Sequence, residues 1–140
     1  MNGNDFMTWV LRSPLHGILS SGMMLITVAG RKTGKKYTLP VEYFETDGFL
    51  WVITSRDRTW WRNLRNGAKV ELLLKHRPAM AHADLVTGIE QVESHLWDYL
   101  RHAPLAAKPM GIRMQDKRPN NEDLARVARE RLFVRLKLLP

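Results

Sequence analysis

Apolar and polar positions alternate with a period of two through much of the stretch from residue 23 to residue 86, the spacing of β-strands. Residues 23–29 (MMLITVA) are a short apolar run with β-branched members, which predicts a buried strand. In the next segment, 37–44, Tyr37, Leu39, Val41 and Tyr43 fall on one face. Pro40 cannot donate to a ladder, so this strand is expected to lie at an edge or a bulge there. Thr46, Asp47 and Gly48 are a strong hairpin signal, and 49–54 completes the hairpin. Val70, Leu72 and Leu74 alternate in a further strand. Arg77 and Pro78 then turn the chain into residues 80–86, and a terminal strand is predicted at 132–138.

Elsewhere the period lengthens toward that of a helix. Phe6, Trp9 and Val10 share a face within 4–20, where Asn4 or Asp5 would cap a helix that Pro14 and Gly17 interrupt. Residues 59–66 predict a short helix capped by Thr59 and ended by Asn66 and Gly67. The TGIE at 87–90 has the capping-box pattern and introduces a helix at 89–102, with Val92, Leu96, Tyr99 and Leu100 on one face and Pro104 after its end. Residues 108–119 read as a loop, and 121–131 as a last helix. About six strands in mostly antiparallel hairpins leave no room for βαβ crossovers, which excludes a dinucleotide-binding doubly wound sheet. The expected architecture is a small closed or half-open β-barrel with peripheral helices, an α+β fold. A single domain would cover 1–140, with 1–20 as an N-terminal helical segment.

Composition narrows the chemistry. At 44% hydrophobic and 26% charged residues, a chain of 140 can bury a core and is not disordered as a whole. Cysteine is absent, which excludes disulfides, thiolate nucleophiles and cysteine-ligated metals. No run reaches the roughly 18 apolar residues of a membrane helix, and the N-terminus lacks the features of a signal peptide, so a cytoplasmic protein is expected. Twenty-two Lys and Arg against fourteen Asp and Glu give a net charge of +8. That balance favours polyanions: nucleic acid, an anionic membrane face or a phosphorylated cofactor.

Two segments concentrate the candidate chemistry. The GRKTGKK at 30–36 places four cations and a hydroxyl around a glycine turn, with no acid between Gly30 and Val41. Backbone N–H groups and flanking cations suit a phosphate, although the spacing is not that of a Walker A loop; a solvated basic hairpin tip is the competing reading. The second segment, 54–65 (TSRDRTWWRNLR), interleaves paired tryptophans with arginines. Such a pattern suits a planar ligand beside its phosphate, or stacked bases, although at least one tryptophan is expected to seat the helix on the barrel. The five histidines form no ligand spacing, so no metal site is expected. Neither a GxSxG serine nor a carboxylate pair is present, so any chemistry is expected to belong to a bound cofactor.

The succession GRKTGK, TLPV, a DG hairpin, TS and WWRNL resembles the deazaflavin (coenzyme F420)-dependent nitroreductase and quinone reductase family, well over 22–88 and more loosely to the C-terminus. The resemblance implies a split β-barrel, flavin-reductase-like and related to FMN-binding flavin reductases and pyridoxamine-phosphate oxidases. It places Arg31, Lys32 and Thr33 at the cofactor phosphate, with Lys36 adding charge. Tyr37, Thr38, Leu39, Pro40 and Val41 would run under the tail and ring. Thr54, Ser55 and Arg56 would approach the ring edge, while Trp60, Trp61, Asn63 and Leu64 would close the other side.

The implied reaction is hydride transfer from reduced F420 to a nitro, quinone or enone acceptor. Ser55 would donate a hydrogen bond to developing negative charge, and Tyr43 would give a proton or touch the substrate. The Phe6/Trp9/Val10 face would serve as a lid, or as a membrane contact when the acceptor is a lipid quinone. FMN in the same fold is the alternative cofactor, and a non-catalytic binder of an anionic cofactor, nucleic acid or lipid is a third reading, nucleic acid being the less expected partner. Split barrels often pair, so a homodimer stands beside a self-sufficient barrel.

Overall fold

A computed structural model describes residues 20–140; the helical segment and lid expected at the N-terminus fall outside the described residues. The strands are β1 (Ser20–Ala29), β2 (Lys36–Thr46), β3 (Phe49–Ser55), β4 (Ala68–Leu74), β5 (Arg77–Val86), β6 (Met114–Gln115), β7 (Arg118–Pro119) and β8 (Arg131–Leu138). Six of them close an antiparallel barrel in the order β1-β2-β3-β8-β5-β4, and β6 and β7 form a separate small hairpin. The C-terminal strand completes the closure by pairing with β3 on one side and β5 on the other.

Period-two alternation selects the barrel interior. Met24, Ile26 and Val28 from β1 point inward to meet Val41 and Tyr43, Leu50 and Val52, Val70, Leu72 and Leu74, Ala81 and Ala83, and the even-numbered residues 132–138. Small alanines on β5, Ala81 and Ala83, face larger neighbours across the narrow interior, as the taper of a six-stranded barrel requires. Asp47 and Gly48 adopt φ 54° and 80°, the left-handed pair that a two-residue hairpin requires. Lys75 and His76 do the same without a glycine, at φ 52° and 65°. The β4–β5 turn therefore sits there, and Arg77 and Pro78, expected as the turn, begin β5 instead.

The helices are α1 (Ile89–His102) and α2 (Asn121–Glu130), with 3₁₀ segments at Trp60–Leu64 and Pro104–Met110. Neither predicted cap at 59 or 87 forms. Thr59 makes no side-chain cap bond, and α1 starts on Gly88, also without one. Asn120 does cap α2, accepting from the Asp123 N–H at 3.0 Å. The segment 108–119, expected as loop, holds the end of the second 3₁₀ helix and the β6–β7 hairpin. Together α1 and α2 cover the outer face of β3 and β8, where Phe44, Trp51 and Phe133 join Val92, Leu96, Leu100, Leu124 and Val127 in a second core. Among the described residues no helix covers the opposite outer face, where Met23, Leu25, Leu73 and Met80 are exposed. No helix among the described residues is long and apolar enough to cross a membrane.

Candidate functional site

β2 is paired unequally along its two edges. Toward β1 the ladder runs over all ten residues from Lys36 to Glu45, whereas toward β3 it is confined to Phe44–Trp51, Glu45–Leu50 and Thr46–Phe49. From Lys36 to Tyr43, then, no described strand pairs with the second edge of β2. Pro40 lies within this stretch, opposite Leu25 of β1, on a strand whose other edge is unpaired there by any described strand, as expected for a proline in a sheet. The barrel is split here, between the first part of β2 and the last part of β3.

The basic turn closes one end of the split. Gly34, at φ 70°, donates its N–H to the Gly30 carbonyl, and Gly30 donates to the Lys35 carbonyl. The Thr33 hydroxyl accepts from the Lys35 N–H. Arg31, Lys32 and Thr33 are exposed at the tip. Asn63, from the first 3₁₀ helix, fastens this turn to the barrel. Its Oδ1 accepts from the Arg31 N–H at 3.1 Å, its carbonyl accepts from Arg31 Nε at 3.0 Å, and its Nδ2 donates to the Tyr37 hydroxyl at 2.7 Å. Arg31, Tyr37 and Asn63 are thus brought together across 32 residues of sequence.

Alternation distributes the remaining β2 candidates over two faces. Lys36 and Thr38 point to the outer face, where Lys36 pairs with Glu71 at 3.0 Å and the Thr38 hydroxyl meets that of Thr27 at 2.6 Å. Pro40 is exposed, while Leu39 and Val41 turn toward the barrel interior. Trp60, Trp61 and Leu64 are all buried in the barrel core, so the 3₁₀ helix is an end plug and both tryptophans seat it. Trp60 Nε1 donates to the Thr54 hydroxyl at 3.3 Å, and Trp61 Nε1 to the Ser55 carbonyl at 3.2 Å. Arg62 and Arg65 lie over the Trp61 ring, 5.7 and 5.3 Å from its centroid.

Arg56 reaches away from the turn. Its Nη2 donates to the carbonyls of Thr87 and Ala128 at 2.7 and 2.9 Å, putting a cation at the C-terminal end of α2, where the Arg56 backbone N–H also donates to the Glu130 carbonyl. Ser55 is half-buried, and its hydroxyl oxygen accepts from the Asp57 N–H at 3.3 Å, which leaves the hydroxyl proton available.

A cavity of about 450 Å³ opens at the other end of the split. Tyr43 lines it together with Glu42, Phe44, Ile53, Tyr99 and Arg131, while Met110 and Pro109 form its helical wall. Ser55 does not line it, although its register partner Arg131 does. Burial, with Glu42 adding to it, pushes the Tyr99 phenol above its ordinary value, so this hydroxyl stays protonated through the neutral range. The Tyr99 ring stacks on Phe44 with centroids 4.2 Å apart. Tyr99, Glu42 and Arg131 were not among the candidates from sequence. Tyr99 shares the apolar helical face of Leu96 and Leu100, and only the packing of α1 on β2 shows that it borders a cavity. Among the described residues no group of three His, Asp or Glu is placed to hold a metal ion.

A model of the F420H(2)-dependent quinone reductase family matches residues 13–115. Among solved structures, a Bacteroides thetaiotaomicron protein provisionally assigned to 5-nitroimidazole antibiotic resistance superimposes with a TM-score of 0.53 at 9% identity, over 97% of this chain and 80% of that one. The FAD and heme binding protein of Mycobacterium smegmatis superimposes with a TM-score of 0.49 at 12% identity, over 83% of this chain and 64% of that one. At such identities a likeness speaks for fold alone, and the first of them identifies the barrel as flavin-reductase-like. No curated protein sequence matches the chain.

Proposed function

The chain belongs to the F420H(2)-dependent quinone reductase family, and from that membership we propose that it reduces quinone, nitro or enone acceptors with reduced F420 held along the open edge of β2. The observation that carries this reading is the split itself, with a cationic turn at one end and a tyrosine-lined cavity at the other. Lys36 and Tyr43 are seven residues apart, roughly 23 Å along an extended strand, which suits a long ligand with a charged tail and a planar head.

Residues present at the turn fit the tail. Lys32 and Lys35 are exposed on the same turn as Arg31, and charge-assisted contacts from such groups are worth about 1.5–3 kcal/mol each. Asn63 holds the Arg31 backbone in place, so it acts as a positioning residue for the phosphate site. Along this edge, the backbone N–H and C=O groups of β2 that no described strand pairs offer partners to a polar linker. When bound, reduced F420 supplies the hydride for the acceptor.

The cavity residues serve the acceptor. Tyr43 borders the cavity from the barrel side and Tyr99 from the helix side, and a phenol kept protonated by burial is a proton source for an acceptor that gains negative charge. Ser55, whose hydroxyl proton is free to donate, steadies negative charge nearer the β3 edge. Apolar Phe44, Ile53 and Met110 limit water in the cavity.

Titration with F420 and, separately, FMN, followed by tryptophan fluorescence at two salt concentrations, tests the cofactor. Oxidation of reduced F420 by a naphthoquinone, a nitroaromatic and an enone tests the acceptor. Saturable quenching by F420 alone, followed by acceptor-dependent oxidation, is expected. Absence of F420 binding overturns the reading.

A further inference from the structure

A second cavity, about 250 Å³, lies behind the Phe44–Tyr99 stack, between α1 and the β2–β3 hairpin. Its walls are aromatic: Phe44, Trp51, Tyr99 and Phe133, with the His95 ring 4.9 Å from the indole of Trp51. Phe44 and Trp51 lie nearly parallel, 10° apart, and Phe133 stands edge-on to both. Asp47, from the hairpin turn, and Asp98, from α1, also line it. The described lining contains no Lys or Arg, in a chain that carries 22 of them against 14 acids.

We propose that this cavity binds an organic cation, a quaternary or N-alkylated ammonium group seated against Trp51, Phe44 and Tyr99 with Asp47 and Asp98 offsetting its charge. Ring faces attract a cation through their quadrupole, and indole does so most strongly. A neutral hydrophobic ligand would use the same walls but has no use for two carboxylates; an inorganic cation would use the carboxylates but gains little from four aromatic rings. An alkylated ammonium uses both features, and its low hydration makes it easy to bring out of water. The volume corresponds to roughly eight waters, enough for such a head group and too small for a second large ring system. The site shares Phe44 and Tyr99 with the first cavity, but none of its described lining belongs to the basic turn or to Lys36–Tyr43, so the proposal does not depend on the cofactor reading.

The 140-residue chain, without added cofactor, is titrated with benzyltrimethylammonium, benzyl alcohol and benzoate, reading the assigned indole N–H signals of the tryptophans by NMR. Saturable movement of the Trp51 signal by the cation is expected, with roughly a tenfold preference over benzyl alcohol and no response to benzoate. In Asp47→Asn combined with Asp98→Asn the preference should fall severalfold, since the rings alone then hold the cation. Asn tolerates the left-handed turn conformation at 47, and 98 is an exposed helix position, so this variant keeps the fold, and circular dichroism checks it. Equal binding of alcohol and cation, a response centred on another tryptophan, an unchanged preference in the double variant, or no Trp51 response to the cation at about 10 mM each overturns the proposal.

Discussion

Asn63 and Arg56 were both marked by sequence as cofactor contacts, yet their hydrogen bonds put them to different uses. Asn63 spends its side-chain oxygen and nitrogen on Arg31 and Tyr37, so its loss loosens the basic turn. Asn63→Ala is expected to cost about 1–2 kcal/mol of stability, the worth of two ordinary hydrogen bonds, and to weaken F420 binding about tenfold. Arg56 donates to Thr87 and Ala128, far from the turn in sequence and fold. Arg56→Met is expected to cost about 2 kcal/mol in denaturant unfolding while F420 affinity stays within about twofold. A large affinity loss in the Arg56 variant with little loss of stability would return this side chain to the cofactor.

At the level of elements, α2 offers a test by pH. The Arg113 side chain and backbone N–H both donate to the Asp123 carboxylate, at 2.9 Å, and hold it below the usual carboxylate range. Because the folded-state value is depressed, Asp123 contributes stability above the unfolded value, near 4, and that contribution is lost as pH falls through the folded value. Asp123→Asn should therefore be less stable than the natural chain at pH 6, with the gap closing as pH falls below about 4, measured by urea unfolding at each pH. This contact was not legible in the sequence, since Arg113 lies in the segment that read as loop. Strands read well, because one apolar face per strand suffices to mark the barrel interior: Val70, Leu72 and Leu74 declare β4 without help. The split was half legible, through Pro40, whereas the shortness of the ladder to β3, which joins only Phe44–Thr46 to Phe49–Trp51, leaves no mark in the alternation of either strand. Of the two short helices, the one at 60–64 was expected from Thr59 before it and Asn66 and Gly67 after it, but Pro104–Met110 was hidden because Pro104 read only as the end of α1. Tyr99 escaped for a different reason, since a side chain can belong to a core and border a cavity at once, and periodicity reports only the first.

For the molecule as a whole, the charge of +8 matters through where it is left uncompensated. Lys36, Arg113, Arg126 and Arg135 form ion pairs with Glu71, Asp123, Glu130 and Asp84, and none of these four pairs involves Arg31, Lys32 or Lys35. The tip of the turn therefore keeps its field for a ligand, and a field carried by exposed groups is screened by salt beyond about 10 Å at 0.1 M. F420 affinity should fall roughly tenfold on going from low to about 0.5 M salt. Lys32→Gln should weaken binding about fivefold and flatten that dependence, while kcat at saturating F420 changes by less than about twofold. Tyr43→Phe should do the reverse, lowering kcat by roughly a hundredfold and leaving Kd and its salt dependence in place. The two variants separate the ends of β2, because a charge at the tip is felt in binding and a phenol at the cavity is felt only as the acceptor gains charge. If Lys32→Gln leaves the salt dependence intact, the anionic tail is held elsewhere on the basic surface. If Tyr43→Phe raises Kd as much as it lowers kcat, the cavity takes the ring for its binding alone and proton delivery falls to Tyr99.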